Sequence, residues 1–482
     1  MTHAGGEREG TPPDPLRIEP APGAWTLAEQ PATGPLAELR RTLREELGLP
    51  ADRPIIMTGH QCDWWHAGVV SKYAAMTRAA DTLGAHAARL WVDQDTNDPT
   101  QLRYPASDGS GGITERSWEF APETPVAPET PTGARDPIDP APPPTDLHDA
   151  ARPGSLDAIR DAMLGARREP TLARQVARAV RTLAPAWTGD DRGSDVFALD
   201  LARTDAFGAL VDRVANDPAA CTRAYNDAAG AHPDAGIRPL TLRGSRIELP
   251  LWRVRSGEPR LPVYAGQLDA IPRGQLAPRA LLMTGLLRLC ACDLFIHGTG
   301  GAGYAPVTAQ WFEAWLGEWL GARTERLDGR AGAAGLLAPV VMVTATVTLA
   351  DAGEDLPTPE SAAEARALAH KARHDPSLIG DAEAAQAKAE LLGQIDAAKQ
   401  RGEKPGSLFA QMQRLLGEHR ERNARALESL DAEADRLESA SKSSALLLDR
   451  TWAFPLLPEN RLALVERALD RAFERASVGA KP

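Results

Sequence analysis

The clearest hydrophobic pattern in the chain begins at Pro54. Ile55, Ile56 and Met57 form a short apolar run behind that proline, and Thr58 and Gly59 end it, which is the signature of a buried strand. From Val69 to Gly84, small and apolar residues share one helical face, and Lys72, Arg78 and Asp81 are expected outside it. Ala87 to Val92 is apolar again, at the spacing of a parallel crossover. Strand, polar loop, helix, strand is an α/β unit, and ligands bind at the carboxyl ends of such strands. Parallel neighbours share an edge. The polar stretches 58–66 and 93–98 are therefore expected to face one crevice.

Elsewhere the pattern is read in order. Residues 1–24 are rich in Gly, Pro and charge and are expected to be loosely ordered. Gly34 to Leu49 reads as an amphipathic helix. Residues 121–144 repeat Ala-Pro-Glu-Thr-Pro and read as an unstructured surface loop, and 153–232 as a helical insertion. Leu240 to Val254 reads as a hairpin about Arg243-Gly244-Ser245. An apolar helix over Pro278–Cys290, a short strand over Asp293–Ile296, a glycine loop, a Trp-rich helix over Val307–Leu320 and a strand over Leu337–Leu349 follow. From Thr358 to Ser444 the composition turns to Ala, Glu, Gln, Arg, Lys and Leu, with breaks at His374-Asp375-Pro376 and at 402–406. This predicts three helices forming a coiled-coil arm. The tail, 445–482, is expected to return to the body as a strand and a helix. The fold class is thus α/β: a Rossmann-like parallel sheet over 25–357, with helical insertions and a C-terminal helical arm. In the arm, Leu391, Leu392, Ile395, Leu408, Met412, Leu415 and Leu416 recur at three- and four-residue steps. Such a stripe must be covered, and a homodimer through the arm is the expectation.

Composition narrows the function. A chain of 482 residues with 43% hydrophobic content is expected to form two or three domains, or one large domain with insertions. Its net charge of −12 and pI near 5.4 argue against a nucleic-acid partner. Four cysteines are too few for a disulfide framework, and Cys290 and Cys292 read as core. The first 25 residues lack a signal-peptide pattern, and the longest apolar run, Leu336–Ala350, is too short for a membrane span. A soluble cytoplasmic protein acting on a small molecule is expected, without a membrane partner.

Three polar clusters carry candidate chemistry. The first holds His60, Gln61, Asp63 and His66. Its Asp63-x-x-His66-x-Gly68 is most of the D-x-x-H-x-G-H pattern by which nucleotidylyltransferases stabilise phosphate charge, with Val69 in place of the last histidine. The same residues could instead cap a helix and satisfy its turn. In the second, Asp93, Asp95 and Asp98 could hold a metal, orient an amine or act as a general base, or be ordinary loop carboxylates. The third, from His297 to Tyr304, contains a literal G-x-G-x-x-G, but Arg323 to Gly335 carries no strand-end acid for a dinucleotide ribose. Gly300, Gly301 and Gly303 are therefore expected to hold a phosphate or carboxylate, or simply to form a tight turn. His370 and His374 read as a solvated helix face.

Together these pieces resemble the bacillithiol-biosynthesis cysteine-adding enzymes. That family's T-G-Q-Q loop is similar to Thr58-Gly59-His60-Gln61, with His60 where the family has Gln. Its E-D-H-D loop is similar to Asp95-Thr96-Asn97-Asp98. Its G-G-P-G-E loop is similar to Gly300-Gly301-Ala302-Gly303-Tyr304, with Tyr304 in place of Glu. Lys72 lies near the family's helix lysine, and residues 358–444 are similar to its dimerising arm. The resemblance implies amide formation between cysteine and an amine of a sugar-type acceptor. His60, His66, Asp95 and Asp98 are the candidate catalytic groups. Thr58, Gly59, Gln61, Asp63, Lys72, Asp93, Asn97, His297, Gly300, Gly301, Gly303 and Tyr304 are the candidate substrate contacts. No metal is implied. The cofactor is left open, an adenine nucleotide (ATP or ADP) being the candidate. A nucleotidylyl-transferring enzyme and a non-catalytic dimeric scaffold stay open as other readings.

Overall fold

The computed structural model describes residues 15–29, 33–109, 111–121, 127–188, 193–317, 319, 337–350 and 356–479. The expectations for residues 1–14, for the first Ala-Pro-Glu-Thr-Pro repeat beyond Ala121 and for Arg323–Gly335 lie outside them. In chain order the elements are β1 (Leu16–Glu19), α1 (Pro35–Glu46), β2 (Ile55–Gln61), α2 (Ala67–Leu83), β3 (His86–Val92), β4 (Gln101–Ser107) and β5 (Ile113–Glu119). Then come α3 (Ser155–Gly165), α4 (Leu172–Leu183), α5 (Pro185–Thr188), β6 (Ser194–Phe197), α6 (Asp205–Asn216) and α7 (Pro218–Ala231). A small antiparallel group follows: β7 (Leu242–Arg243), β8 (Arg246–Arg253), β9 (Leu261–Tyr264) and β10 (Leu276–Pro278). The chain continues with α8 (Ala280–Leu286), β11 (Leu294–His297), α9 (Thr299–Leu316) and β12 (Val340–Ala345). The last helices are α10 (Pro359–Ala372), α11 (Ala382–Gln400), α12 (Gly406–Arg422), α13 (Ala424–Leu447) and α14 (Glu459–Gly479).

Two compact units result. The first comprises residues 1–104, 116–349 and 450–482, and the second 105–115 and 350–449. In the first, six strands among the described residues form a sheet ordered β1-β12-β11-β2-β3-β6. β12, β11, β2, β3 and β6 run parallel, and β1 pairs antiparallel with β12. β2 is the first of the parallel strands in the chain. β3 and β6 extend from it to one side, and β11 and β12 to the other. The direction of winding reverses between β2 and β11, and in such sheets the crevice opens at that point.

Helices cover both faces. Ile55 and Met57 point into the main core, with residues of α1, α6, α7, α8 and α9. α2 packs on β2, β3, β11 and β12, with α14 and α5 against it. The start of β2 is pinned electrostatically. Arg40 and Arg44 of α1 and the backbone N–H of Ile55 all bond the carboxylate of Asp293, which is buried just before β11.

Several expectations are corrected. Residues 16–19 are not loose but form the sheet's edge strand, where their alternating burial fits one covered face. The insertion 153–232 is helical only in part: Ser194–Phe197 is a strand of the main sheet beside β3. The described part of the Pro-rich stretch is not a surface loop. Thr130 and Thr132 are buried, and Thr132 and Gly133 donate backbone bonds to Asp95 and Asp93. The apolar helix at 278–290 becomes α8 and then a π-helical stretch, Leu287–Ala291. The hairpin forms with its turn at Gly244-Ser245, and β8 runs longer than expected. The tail's expected strand is a single bridge between Ala453 and His66, followed by α14.

In the second unit four helices form where three were expected, because Asn423 leaves helical geometry between α12 and α13. α10 packs on α13, and α11 on α12. Ile395, Met412 and Leu416 bury one another, with Leu391 and Leu408 beside them, so much of the stripe is covered within the chain. Leu392 and Phe409 stay exposed. No helix among the described residues is long and apolar enough to cross a membrane.

Candidate active site

The strand at Ile55 is longer than its apolar run. Thr58, Gly59, His60 and Gln61 are the end of β2, not a loop, because all four pair with Arg89 to Val92 of β3. Thr58 is buried, and its hydroxyl donates to Ile296 of β11 at 2.7 Å, which ties the two central strands together. Gly59 leaves no room for a side chain, since a Cβ there would stand 2.6 Å from Leu90. Its carbonyl accepts a hydrogen bond from Lys72 Nζ at 2.8 Å.

Lys72 is the main correction. It was expected on the outer face of its helix, yet it is only 3% exposed. Every residue from Ala67 to Met76 is buried, because α2 lies between the sheet and other helices and this half has no solvent face. The amine makes one hydrogen bond, and no described carboxylate forms an ion pair with it. Burial pulls its pKa down to about 7.

Two histidines flank it. His60 is the next-to-last residue of β2 and His297 the last of β11, so they sit on either side of the reversal point. Burial, the neighbouring Lys72 and His66 lower His60 to about 3, and burial, Lys72 and Arg288 do the same to His297. Both rings are therefore uncharged at neutral pH. His60 Nδ1 and His297 Nε2 are shielded from solvent and have no hydrogen-bond partner. Buried ring nitrogens are ordinarily satisfied, and these two stand at the strand ends where the winding reverses, the place ligands take in such sheets. Gly298 packs near the Lys72 stem: a Cβ there would be 3.6 Å from Lys72 Cδ.

The glycine stretch is not a loop. Gly298 caps α9, and Thr299 to Gly303 already lie within that helix. None of Gly298, Gly300, Gly301 or Gly303 needs a left-handed backbone. Their use is space: a Cβ on Gly301 would stand 2.1 Å from His297 Nδ1, whereas Gly300 and Gly303 face open room. Tyr304 packs edge-on against His297, with ring centroids 5.4 Å apart. The first N–H groups of an 18-residue helix thus open beside His297.

The remaining candidates serve the frame. His66 caps α2 by accepting from Gly68 N–H at 3.0 Å. Asp63 accepts from Trp64 N–H, and burial raises its pKa. The aspartates do not converge as a metal site. Asp93 is buried and accepts from Leu199 N–H, and burial holds its pKa near 7. Asp98 binds Thr100 and Arg135, which lowers its pKa against the opposing effect of burial. Asp95 lies between Arg260, at 2.9 Å, and Gln61 Nε2, at 2.7 Å. Asn97 donates to the Cys62 carbonyl at 2.8 Å. These last two contacts hold the end of β2 and the loop after β3 side by side. His370 and His374 on the arm lie with ring centroids 5.3 Å apart and planes tilted by 60°.

Arg260 and Arg135 come from distant sequence and no motif marks them. Lys72 does carry an overlooked signal: it is the sole lysine in the first 370 residues, where every other side-chain cation is arginine or histidine. Arginine substitutes poorly for an amine that must lose its charge.

No protein-family model matches this chain, and no curated protein matches it.

Proposed function

We propose that this chain is an enzyme with a Rossmann-like core that joins an amino-acid carboxyl, cysteine's in the reading the motifs favour, to an amine of a small sugar-type acceptor. The supporting observation is the group of His60, Lys72 and His297 where the sheet's winding reverses, with a buried amine that has no ion-pair partner among the described residues and two imidazole nitrogens unpaired. The amine attacks an activated carboxyl carbon, the leaving group departs, and the proton released from nitrogen needs an acceptor. His66 and Asp98 are committed to caps and an ion pair, and Asp95 to Arg260. Lys72, with its pKa lowered to about 7 by burial, is the most basic group of the cluster, and its neutral form is the acceptor in this scheme. His60 and His297 orient the substrates by hydrogen bonds, and the start of α9 holds an anionic group, such as the phosphate of an activating adenine nucleotide. The cysteine-adding enzymes that the motifs resemble act in this reaction class.

Differential scanning of the full chain with ATP, ADP, CTP and cysteine tests the reading. It requires a rise in melting temperature with cysteine or an adenine nucleotide that Lys72→Met reduces. A CTP-only response favours nucleotidylyl transfer, and no response to any ligand favours a scaffold. We further propose that exposed Leu392 and Phe409 meet a second copy of the chain. Light scattering of the full chain beside a version with residues 358–444 replaced by a Gly/Ser linker decides it. A monomeric full chain ends the dimer proposal.

A further inference from the structure

Lys72 has features that proton acceptance alone does not require. Its amine is buried, makes a single hydrogen bond to a backbone carbonyl, and has no ion-pair partner among the described residues. The bond to Gly59 fixes one N–H and leaves the lone pair uncommitted. A buried amine with no carboxylate to hold its proton spends part of its time neutral, and the neutral amine is a nucleophile toward carbonyl carbon. On both sides stand unpaired imidazole nitrogens, at His60 Nδ1 and His297 Nε2. Beyond His297 the chain enters α9 through glycines that leave its first N–H groups open, a place for a carboxylate or phosphate. Gly298, the cap of α9, packs at the Lys72 stem, and the buried, unpaired Nε2 of His297, on the strand that leads into that cap, is the independent sign that a ligand belongs beside the amine.

We propose that Lys72 forms a reversible imine with a small aldehyde or 2-oxo compound whose carboxylate or phosphate sits at the start of α9. The Nζ lone pair attacks the carbonyl carbon and the C=O π pair moves to oxygen. One proton passes from nitrogen to that oxygen, giving a carbinolamine. A second proton reaches the hydroxyl through the neighbouring imidazoles, water leaves, and the C=N bond forms as nitrogen loses its last proton. Atoms and electrons balance with no oxidant or reductant. The inference goes beyond the amide-forming reading. It shares the crevice but needs no activated carboxyl, so either can fail alone.

The test is reductive trapping. The full chain is incubated at neutral pH with glyoxylate, or separately with pyridoxal 5′-phosphate, with and without sodium cyanoborohydride, then digested and mapped by mass spectrometry. The expected result is a cyanoborohydride-dependent adduct on the Lys72 peptide. It should form on the order of ten times faster than adducts on the exposed arm lysines Lys371, Lys399 and Lys404. Inorganic phosphate should slow it, and Lys72→Met should abolish it while the arm adducts persist. Glyoxylate alone trapping would assign the anion as a carboxylate, and pyridoxal phosphate alone would assign it as a phosphate. Adducts confined to the arm overturn the proposal, and so does trapping at Lys72 only after urea unfolding. The wild-type map decides the matter even if Lys72→Met fails to fold.

Discussion

The packing of His297 on the first turns of α9 can be tested by comparing two alanines. Gly301 and Gly303 lie on the same helix with no left-handed backbone, so both should gain helix propensity from Ala, up to about 1 kcal/mol. Their surroundings differ. A Cβ at 303 meets nothing within 4 Å, whereas at 301 it would stand 2.1 Å from His297 Nδ1 and 2.7 Å from Cγ. The imidazole is buried between Phe295 and Tyr304 and must be displaced. Overpacking of this kind costs about 1–3 kcal/mol. Gly303→Ala is therefore expected to be neutral or stabilising by up to about 1 kcal/mol, and Gly301→Ala to fall roughly 1–3 kcal/mol below it. Urea unfolding followed by tryptophan fluorescence isolates the right unit, since all eleven tryptophans lie outside residues 350–449. Gly301→Ala should also weaken binding of any anion that needs His297 Nε2, while Gly303→Ala should not. If the two variants have equal stability and equal binding, His297 is not held against Gly301 and the packing at the start of α9 is other than described.

Three further outcomes follow from other parts of the molecule. Asp293→Asn leaves Arg40 and Arg44 buried without their carboxylate and should cost about 3–5 kcal/mol in the same fluorescence assay; a loss below about 1 kcal/mol would place those guanidiniums in water. Lys72 binds its proton more weakly folded, near pH 7, than unfolded, at 10.5, so stability should rise with pH between about 7 and 10. Lys72→Met should flatten that rise, and an unchanged slope would refute the buried amine. Leu416→Ala should cost about 2–4 kcal/mol in the second unit, read as lost helix by circular dichroism with tryptophan fluorescence unmoved; simultaneous loss of both signals would mean that the units do not melt separately.

The parts of the fold legible in the sequence are those set by local periodicity. Ile55–Met57, the α2 pattern and Ala87–Val92 announce a parallel unit, and the identity of the next residues places His60 and Asp95 at its carboxyl edge. The hairpin turn at Gly244 and the helical composition of the arm are equally local. What stayed hidden depends on distant partners. Ser194–Phe197 has no strong pattern of its own and becomes a strand because β3 offers an open edge. Thr130 and Thr132 look like linker residues until the loop after β3 supplies their acceptors. The aspartates, alike in sequence, receive different fates from Leu199, Arg260 and Arg135. Lys72 is the sharpest case. Helical periodicity assigns a lysine to water, since a charged amine is costly to bury. Only the packing of α2 between the sheet and its outer helices removes that water, and burial lowers the amine's pKa to about 7. Periodicity reports which face a helix turns to its nearest neighbour. Whether the opposite face meets solvent or a second layer is decided by chain segments hundreds of residues away, and the chemistry of this crevice rests on that.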